Sequence, residues 1–207
     1  MTDGRAPGRP RSEASRQAIL MAALELAAET GYAGLTIEGI AARAGVGKQT
    51  IYRWWPSKAD VLLEALPAIA DVHVPVTDHG SYQADLRAFL QASHELANRY
   101  PQIPELLRAL MAEAQLNPEF GARFRSGFLQ RRRDALAVIT SRAHERGDLP
   151  DQPAPGTVAD VVFGVIWYRV LATHQALDPG LVNDLVGILA PAPKATKRRR
   201  PTSRRQV

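Results

Sequence analysis

The chain of 207 residues contains no cysteine, which excludes a disulfide framework and any thiolate-held metal. Its opening, MTDGRAPGRPRSEAS, holds no apolar core of the kind a secretory leader needs. No apolar run approaches the roughly 18 residues of a membrane-spanning helix. The expectation is therefore a cytoplasmic protein with no membrane partner. Stretches that alternate apolar and polar residues between turns are scarce, so strands are not expected. Also missing are an internal repeat, a glycine-rich phosphate loop, a nucleophile elbow and a His-Glu-x-x-His pair. An enzyme is not expected, nor a cofactor. The five histidines are scattered. Asp71, His73, Asp78 and His79 surround a proline-containing connection at spacings that fit no metal site, so no metal is expected either. Arg131-Arg132-Arg133 looks like a basic pocket, but consecutive helical residues point about 100° apart. Such a run spreads around a surface.

What the chain does have is helical spacing and separated charge. Hydrophobic residues make up 45% and charged residues 23%, the balance of an ordinary folded protein. The formal net charge of +5 is uneven. Residues 1–58 carry eight basic and five acidic side chains, residues 59–191 eleven and sixteen, and residues 192–207 seven and none. Phosphate neutralisation is local, so the basic ends matter more than the total. For the tail, a solubilising extension is the plain alternative.

The apolar spacing predicts an all-α chain of nine helices. The first runs from Ser12 or Ser15 to Thr30, with Gly31 as its stop. Thr36 caps a short second helix ending at Gly45. A third runs from Gly47 to Trp54, and Pro56 blocks its continuation. Ser57 caps a fourth, and Pro67 to Gly80 reads as a connection. Longer helices follow over Tyr82–Tyr100, Pro104–Gln115, Pro118–Arg146, Pro155 or Thr157 to Leu177, and Pro179–Ala190. Val158, Val161, Val162, Val165 and Ile166 cannot all face one core, and the last helix has the same excess. A helix apolar nearly all round is buried on two sides. The second side is expected to be a partner subunit, so the helices near 157–177 and 179–190 are the expected homodimer interface. The resulting organisation is a flexible basic arm (1–11), a domain of short helices (12–58), a larger helical domain with the expected dimer faces (59–191), and a disordered basic tail (192–207).

The segment Leu35 to Leu63 reads LTIEGIAARAGVGKQTIYRWWPSKADVLL. Two short helices joined at Ala44-Gly45-Val46 have helix-turn-helix geometry. Ile51 and Trp55 can pack on Ile37, Ile40 and Ala41, which leaves Lys48, Gln49, Thr50, Tyr52, Arg53 and Trp54 available to a groove. On Thr36-Ile37-Glu38-Gly39-Ile40-Ala41, Ala44-Gly45-Val46, Ile51-Tyr52-Arg53-Trp54-Trp55-Pro56-Ser57-Lys58 and Leu62-Leu63, the sequence resembles the tetracycline-repressor (TetR) family of bacterial regulators. One departure is Gly47, where the family commonly has a Ser or Thr cap.

The resemblance implies a three-helix DNA-binding domain (12–58) followed by a larger helical effector-binding and dimerisation domain (59–191), with double-stranded DNA as partner. Thr36, Tyr52, Trp54 and Lys58 would contact phosphates, while Lys48, Gln49, Thr50 and Arg53 would approach base edges. The chemistry agrees, since Lys or Arg suits guanine, Gln suits adenine and the Thr methyl suits thymine. In the arm, Arg9 and Arg11 flank Pro10, and an extended Arg-Pro segment can enter a narrow minor groove. The resemblance further implies a cavity for a small, mainly apolar effector. Phe89, Met111, Phe128, Trp167 and Tyr168 are the expected lining, each with core packing as its alternative. Arg169, inside an apolar run, needs an anionic ligand group or a carboxylate such as Glu113 or Asp160. His94 and His174 read as core histidines with partners. The function implied is a repressor released from a palindromic operator by its effector, associated with the nucleoid when bound. The alternative is a constitutive DNA-binding protein with a packed, ligand-free C-terminal domain.

Overall fold

A computed structural model of the chain describes residues 9–67, 76–149, 152–175 and 177–190, with side chains from Glu13 onward. Every regular element among these residues is helical. Four helices form the N-terminal part: α1 (Arg9–Gly34), α2 (Ile37–Ala44), α3 (Lys48–Tyr52) and α4 (Lys58–Ala65). The rest comprises α5 (Tyr82–Arg99), α6 (Ile103–Leu116), α7 (Pro118–Phe124), α8 (Gln130–Arg146), α9 (Pro155–Tyr168) and α10 (Pro179–Leu189). Two single π-turns, Arg125–Leu129 and Arg169–Thr173, link α7 to α8 and end α9.

The helix ends follow local chemistry. Thr36 accepts from the Gly39 amide and caps α2, and Gly45 ends it in the left-handed conformation (φ 65°). Ser57 caps α4 by accepting from the Asp60 amide. Regular α1 breaks at Gly31 (φ 68°, ψ 176°), where a Cβ would sit 2.7 Å from the Glu105 carboxylate of α6. That backbone calls for glycine, whereas the Glu105 carboxylate is the movable end of a long side chain.

Two apolar cores organise the packing. The first joins α1 (Ile19, Ala23, Ala27), α2 (Ile40, Ala41), Ile51 of α3, Trp55 and α4 (Val61, Leu62, Ala65). It continues without a break into Leu106 and Leu110 of α6 and Phe120 and Phe124 of α7. The N-terminal helices are thus fused to α6 and α7 through buried side chains. The expected boundary at 58/59 falls at the start of α4, whose Ala59, Val61 and Leu62 belong to the core shared with α1. The second core gathers Leu86, Phe89 and Leu90 of α5, Leu136 and Ile139 of α8, Val158 and Val162 of α9, and Val182, Leu185 and Val186 of α10.

Three expectations need correction. The helix begins at Arg9, so the Arg9-Pro10-Arg11 segment is helical where an extended arm was expected. The side chains of Arg9 and Arg11 lie outside the described residues, as do the tail and Asp71 and His73. The spans Pro118–Arg146 and Pro155–Leu177 are interrupted by the two π-turns, because a 3.6-residue periodicity cannot register one inserted residue. Finally, Pro155–Thr173 is a 19-residue stretch long and apolar enough to cross a membrane, although the sequence reading found no such run. Only 22% of its apolar window is buried within the chain. Tyr168 (64% exposed) and Leu171 here, with Ile188 (67%) on α10, leave an apolar surface on the two helices expected to meet a partner subunit.

Candidate nucleic-acid interface and cavity

Helix α3 is only five residues long and is held by one fully buried side chain, Ile51. Lys48, Gln49, Tyr52 and Arg53 are exposed around it, Thr50 and Trp54 are half-buried, and Thr36 is exposed at the start of α2. The seven residues therefore lie on and beside one short helix presented to solvent. Lys48 reaches Glu38 at 3.1 Å, and that hydrogen bond is the main cause holding the Glu38 carboxyl below the usual range. An exposed pair of this kind is weak, so Lys48 can exchange Glu38 for a base or a phosphate at little cost. The Arg53 guanidinium lies 5.5 Å from the Trp54 ring centroid, and Trp54 meets Trp55 edge to face at 5.3 Å. Trp54 both packs and remains partly accessible, whereas Trp55 is core and donates its indole N–H to Glu64 at 2.9 Å.

Lys58 occupies a different position from the one expected of a simple phosphate contact. Its ammonium donates to the carbonyls of Tyr32 and Leu35, each at 2.8 Å, and lies 4.4 Å from the Tyr32 ring centroid. Two of its three N–H donors thus tie α4 to the end of α1, leaving one for any other partner. Its neighbour Asp60, 7% exposed, accepts from Ser57 Oγ (2.8 Å) and from Arg123 Nε of α7 (2.8 Å). That ion pair joins the reading helices to the C-terminal part a second time.

A cavity of about 290 Å³ lies among α5, α6, the Arg125–Leu129 turn, α8 and α9. Leu96, Leu107, Phe128, Phe163, Ile166 and Trp167 supply much of its apolar wall, and Leu66 at the end of α4 closes one side. Both π-turns contribute, through Phe128 and Leu129 in one and Val170 in the other. Phe128 continues inward as a stack with Phe124 (5.5 Å) and Phe120 (6.1 Å), ring to ring along one helix face.

Of the six expected lining residues, Phe128 and Trp167 face this cavity. Phe89 is instead fully buried in the second core, edge to face with Phe163 at 6.3 Å. Met111 packs against the first core, and Tyr168 points to solvent. Arg169 pairs with Asp178 at 2.7 Å, whereas Asp160, an expected partner, binds Arg133. Asp178 also caps α10; the Leu181 amide is the first cause, and Arg169 the second, that lower its carboxyl below the usual range. His94 has partners as expected, the Leu177 carbonyl and Asn98, but is half-buried. His174 is exposed at the end of the second π-turn, where a core position was expected. The sequence reading missed Arg132, which donates to Ser93 Oγ at 2.9 Å and, like Arg133, lines the cavity. Only the packing of α8 on α5 distinguishes it from its neighbours in the arginine run.

Comparison with known proteins agrees with this layout. Residues 19–65 match the model for bacterial regulatory proteins of the tetR family, and residues 76–189 match a tetracyclin repressor-like C-terminal domain. The uncharacterised HTH-type transcriptional regulator YdeS of Bacillus subtilis is 32% identical over 180 residues, 86% of this chain and 89% of its own. The DNA-binding transcriptional repressor TetR of Mycobacteroides abscessus is 33% identical over 179 residues, 85% and 92% of the two chains. The crystal structure of the TetR-family regulator SCO0332 superposes with a TM-score of 0.73 at 30% identity, covering 85% of this chain and 96% of that one. The chain belongs to the TetR family of bacterial transcriptional regulators, whose members bind DNA and act as dimers.

Proposed function

We propose that the protein is a repressor that leaves a palindromic operator when a small, mainly apolar effector fills the cavity. Two copies associate through the exposed apolar faces of α9 and α10, and each α3 enters a major groove. Two-fold symmetry then requires half-sites about 34–36 Å apart, or a multiple of that spacing. Lys48, Gln49, Thr50 and Arg53 read base edges, while Thr36, Tyr52, Trp54 and the remaining donor of Lys58 fix register on phosphates.

The observation that carries the effector half is the position of Leu66. It lines the cavity and is simultaneously a fully buried member of the core that holds the reading helices. A guest in the cavity touches the end of α4 directly and the Phe128–Phe124–Phe120 stack beside it. Shifts there reach the reading helices through packed side chains and the Asp60–Arg123 pair. To move operator occupancy from 99:1 to 1:99, the effector must favour the non-binding arrangement by about 5.5 kcal/mol.

Ala97 offers the test. It is half-buried and lines the cavity from α5, not from the α9 and α10 faces assigned to the partner. Ala97→Leu therefore adds hydrocarbon to the cavity wall while leaving the dimer face untouched. We expect the variant to bind operator like the wild type in a mobility-shift assay, but to ignore an effector that releases the wild type. Retained release would show that the effector acts elsewhere.

A further inference from the structure

Glu38 stands apart from the other acidic side chains around the reading helix. We infer that Glu38 and Lys48 together read one G·C base pair of the operator, Lys48 on the guanine and Glu38 on the cytosine; this inference rests on the reading of α3 as the helix that enters the major groove.

The described residues of α1 to α4 include six acidic side chains: Glu13, Glu25, Glu29, Glu38, Asp60 and Glu64. Five of them meet arginines outside α3. Glu13 and Glu64 pair with Arg16, Glu25 and Glu29 with Arg43, and Asp60 with Arg123. Glu38 instead pairs with Lys48, the first residue of the reading helix. A carboxylate on a DNA-facing surface repels phosphates, so its place there needs a cause. Stability does not supply one. Lys48 and Glu38 are 55% and 63% exposed, and exposed pairs add little. Glu38 also lies in the first turn of α2, where a negative charge suits the helix dipole, but the dipole does not require a lysine from the next helix.

The spacing of the pair does supply one. Lys48 Nζ and Glu38 Oε1 place a donor 3.1 Å from an acceptor. The major-groove edge of a G·C pair places the guanine O6 acceptor beside the cytosine N4 donor, joined by an N–H···O bond of about 2.9 Å. Donor meets acceptor and acceptor meets donor at matching distances, and neither side chain has to release the other. The ammonium keeps two N–H donors for guanine O6 and N7, and the carboxylate keeps lone pairs for the cytosine amine. A C·G pair in the same place sets the amine against the ammonium and O6 against the carboxylate. A T·A pair offers O4 and the N6 amine at the same spacing. It also puts the thymine methyl where Lys48 needs N7, and the adenine N7 acceptor beside Glu38. Of the four pairs, only G·C satisfies both side chains.

The test is selection from random duplex DNA by the full-length wild type, Glu38→Ala and Lys48→Met, followed by titration of the recovered operator with each of the four base pairs at every position of the half-site. At one position the wild type should prefer G·C over C·G by about ten- to a hundredfold. Glu38→Ala and Lys48→Met should both flatten that preference, at that same position, and leave the other positions as they were. Glu38→Ala should also bind random DNA at least as tightly as the wild type, because it has lost a negative charge. Unchanged preferences at every position in Glu38→Ala, whether affinity for all DNA rises or falls, would overturn the inference. Flattening by the two variants at different positions would overturn it as well. Both of those results leave α3 standing as the reading helix, whereas recovery of no common sequence by the wild type would overturn both readings. If Glu38→Ala fails to fold, Glu38→Gln decides: a weakened preference for G·C supports the assignment, and an unchanged one overturns it.

Discussion

The reading helix and the cavity are built by opposite means. Helix α3 is five residues anchored by the single buried Ile51 and braced by caps within twenty residues of sequence on either side. The cavity is assembled from residues between Leu66 and Leu177, contributed by elements far apart in the chain. Small local elements give the reader an exposed polar face whose orientation follows from a few capping bonds. Distant elements give the cavity its shape only once the helices are packed. The two regions meet at Leu66, Asp60 and the Phe120–Phe124–Phe128 stack. A change of packing in one region therefore has a route to the other, while substitutions on the outer face of either should act alone.

Substitutions separate the two regions. Phe89→Ala should give the largest effect, about 3–5 kcal/mol of lost stability, because Phe89 is core and not cavity wall; chemical denaturation measures it. The combined Gln49→Ala and Arg53→Ala variant should lose about 1–3 kcal/mol of operator affinity per residue, with thermal stability unchanged because both side chains are exposed. Competition binding against random DNA checks this.

Tyr82 tests the second core by pH. Burial pushes its phenol up to about 12 from an ordinary value of 10. The folded state therefore keeps a proton that the unfolded state releases, so stability is full below pH 10 and falls as pH rises toward 12. A two-unit shift corresponds to a loss on the order of 2 kcal/mol, and Tyr82→Phe should remove that part of the alkaline decline. Denaturation midpoints across this range would show it.

The two caps of the reading motif give the smallest effects, in opposite directions. Thr36→Ala removes the acceptor for the Gly39 amide and should cost about 1 kcal/mol. Gly47→Ser adds an acceptor at a cap that has none, in extended backbone where a Cβ meets nothing within 4 Å. It should add about a few tenths of a kcal/mol of stability, read as a slightly higher melting temperature.

How much was legible in the sequence divides along the same line. Thr36, Gly45 and Ser57 cap and stop their helices as the local chemistry predicts, because a cap depends on residues one turn away. Helix positions in the second half were also readable from apolar spacing. The cavity lining was not. Phe89 and Phe163 are both large apolar residues on helices, yet only Phe163 reaches the cavity. Periodicity identifies an apolar face but not which neighbour it meets, and α9 is apolar on more than one side. Arg132 was hidden for a related reason. Three consecutive arginines look alike until packing turns Arg132 toward Ser93 and Arg133 toward Asp160. The π-turns left no signal in spacing, since one inserted residue shifts a helical face without ending the helix.

If a two-fold dimer reads a specific operator with α3, selection from random duplex DNA by the full-length protein at moderate salt will reveal it. The expected result is a palindrome whose half-sites lie about one helical turn apart or a multiple of it, lost in the Gln49→Ala, Arg53→Ala variant. Recovery of no common sequence, with binding that depends only on salt, would contradict it.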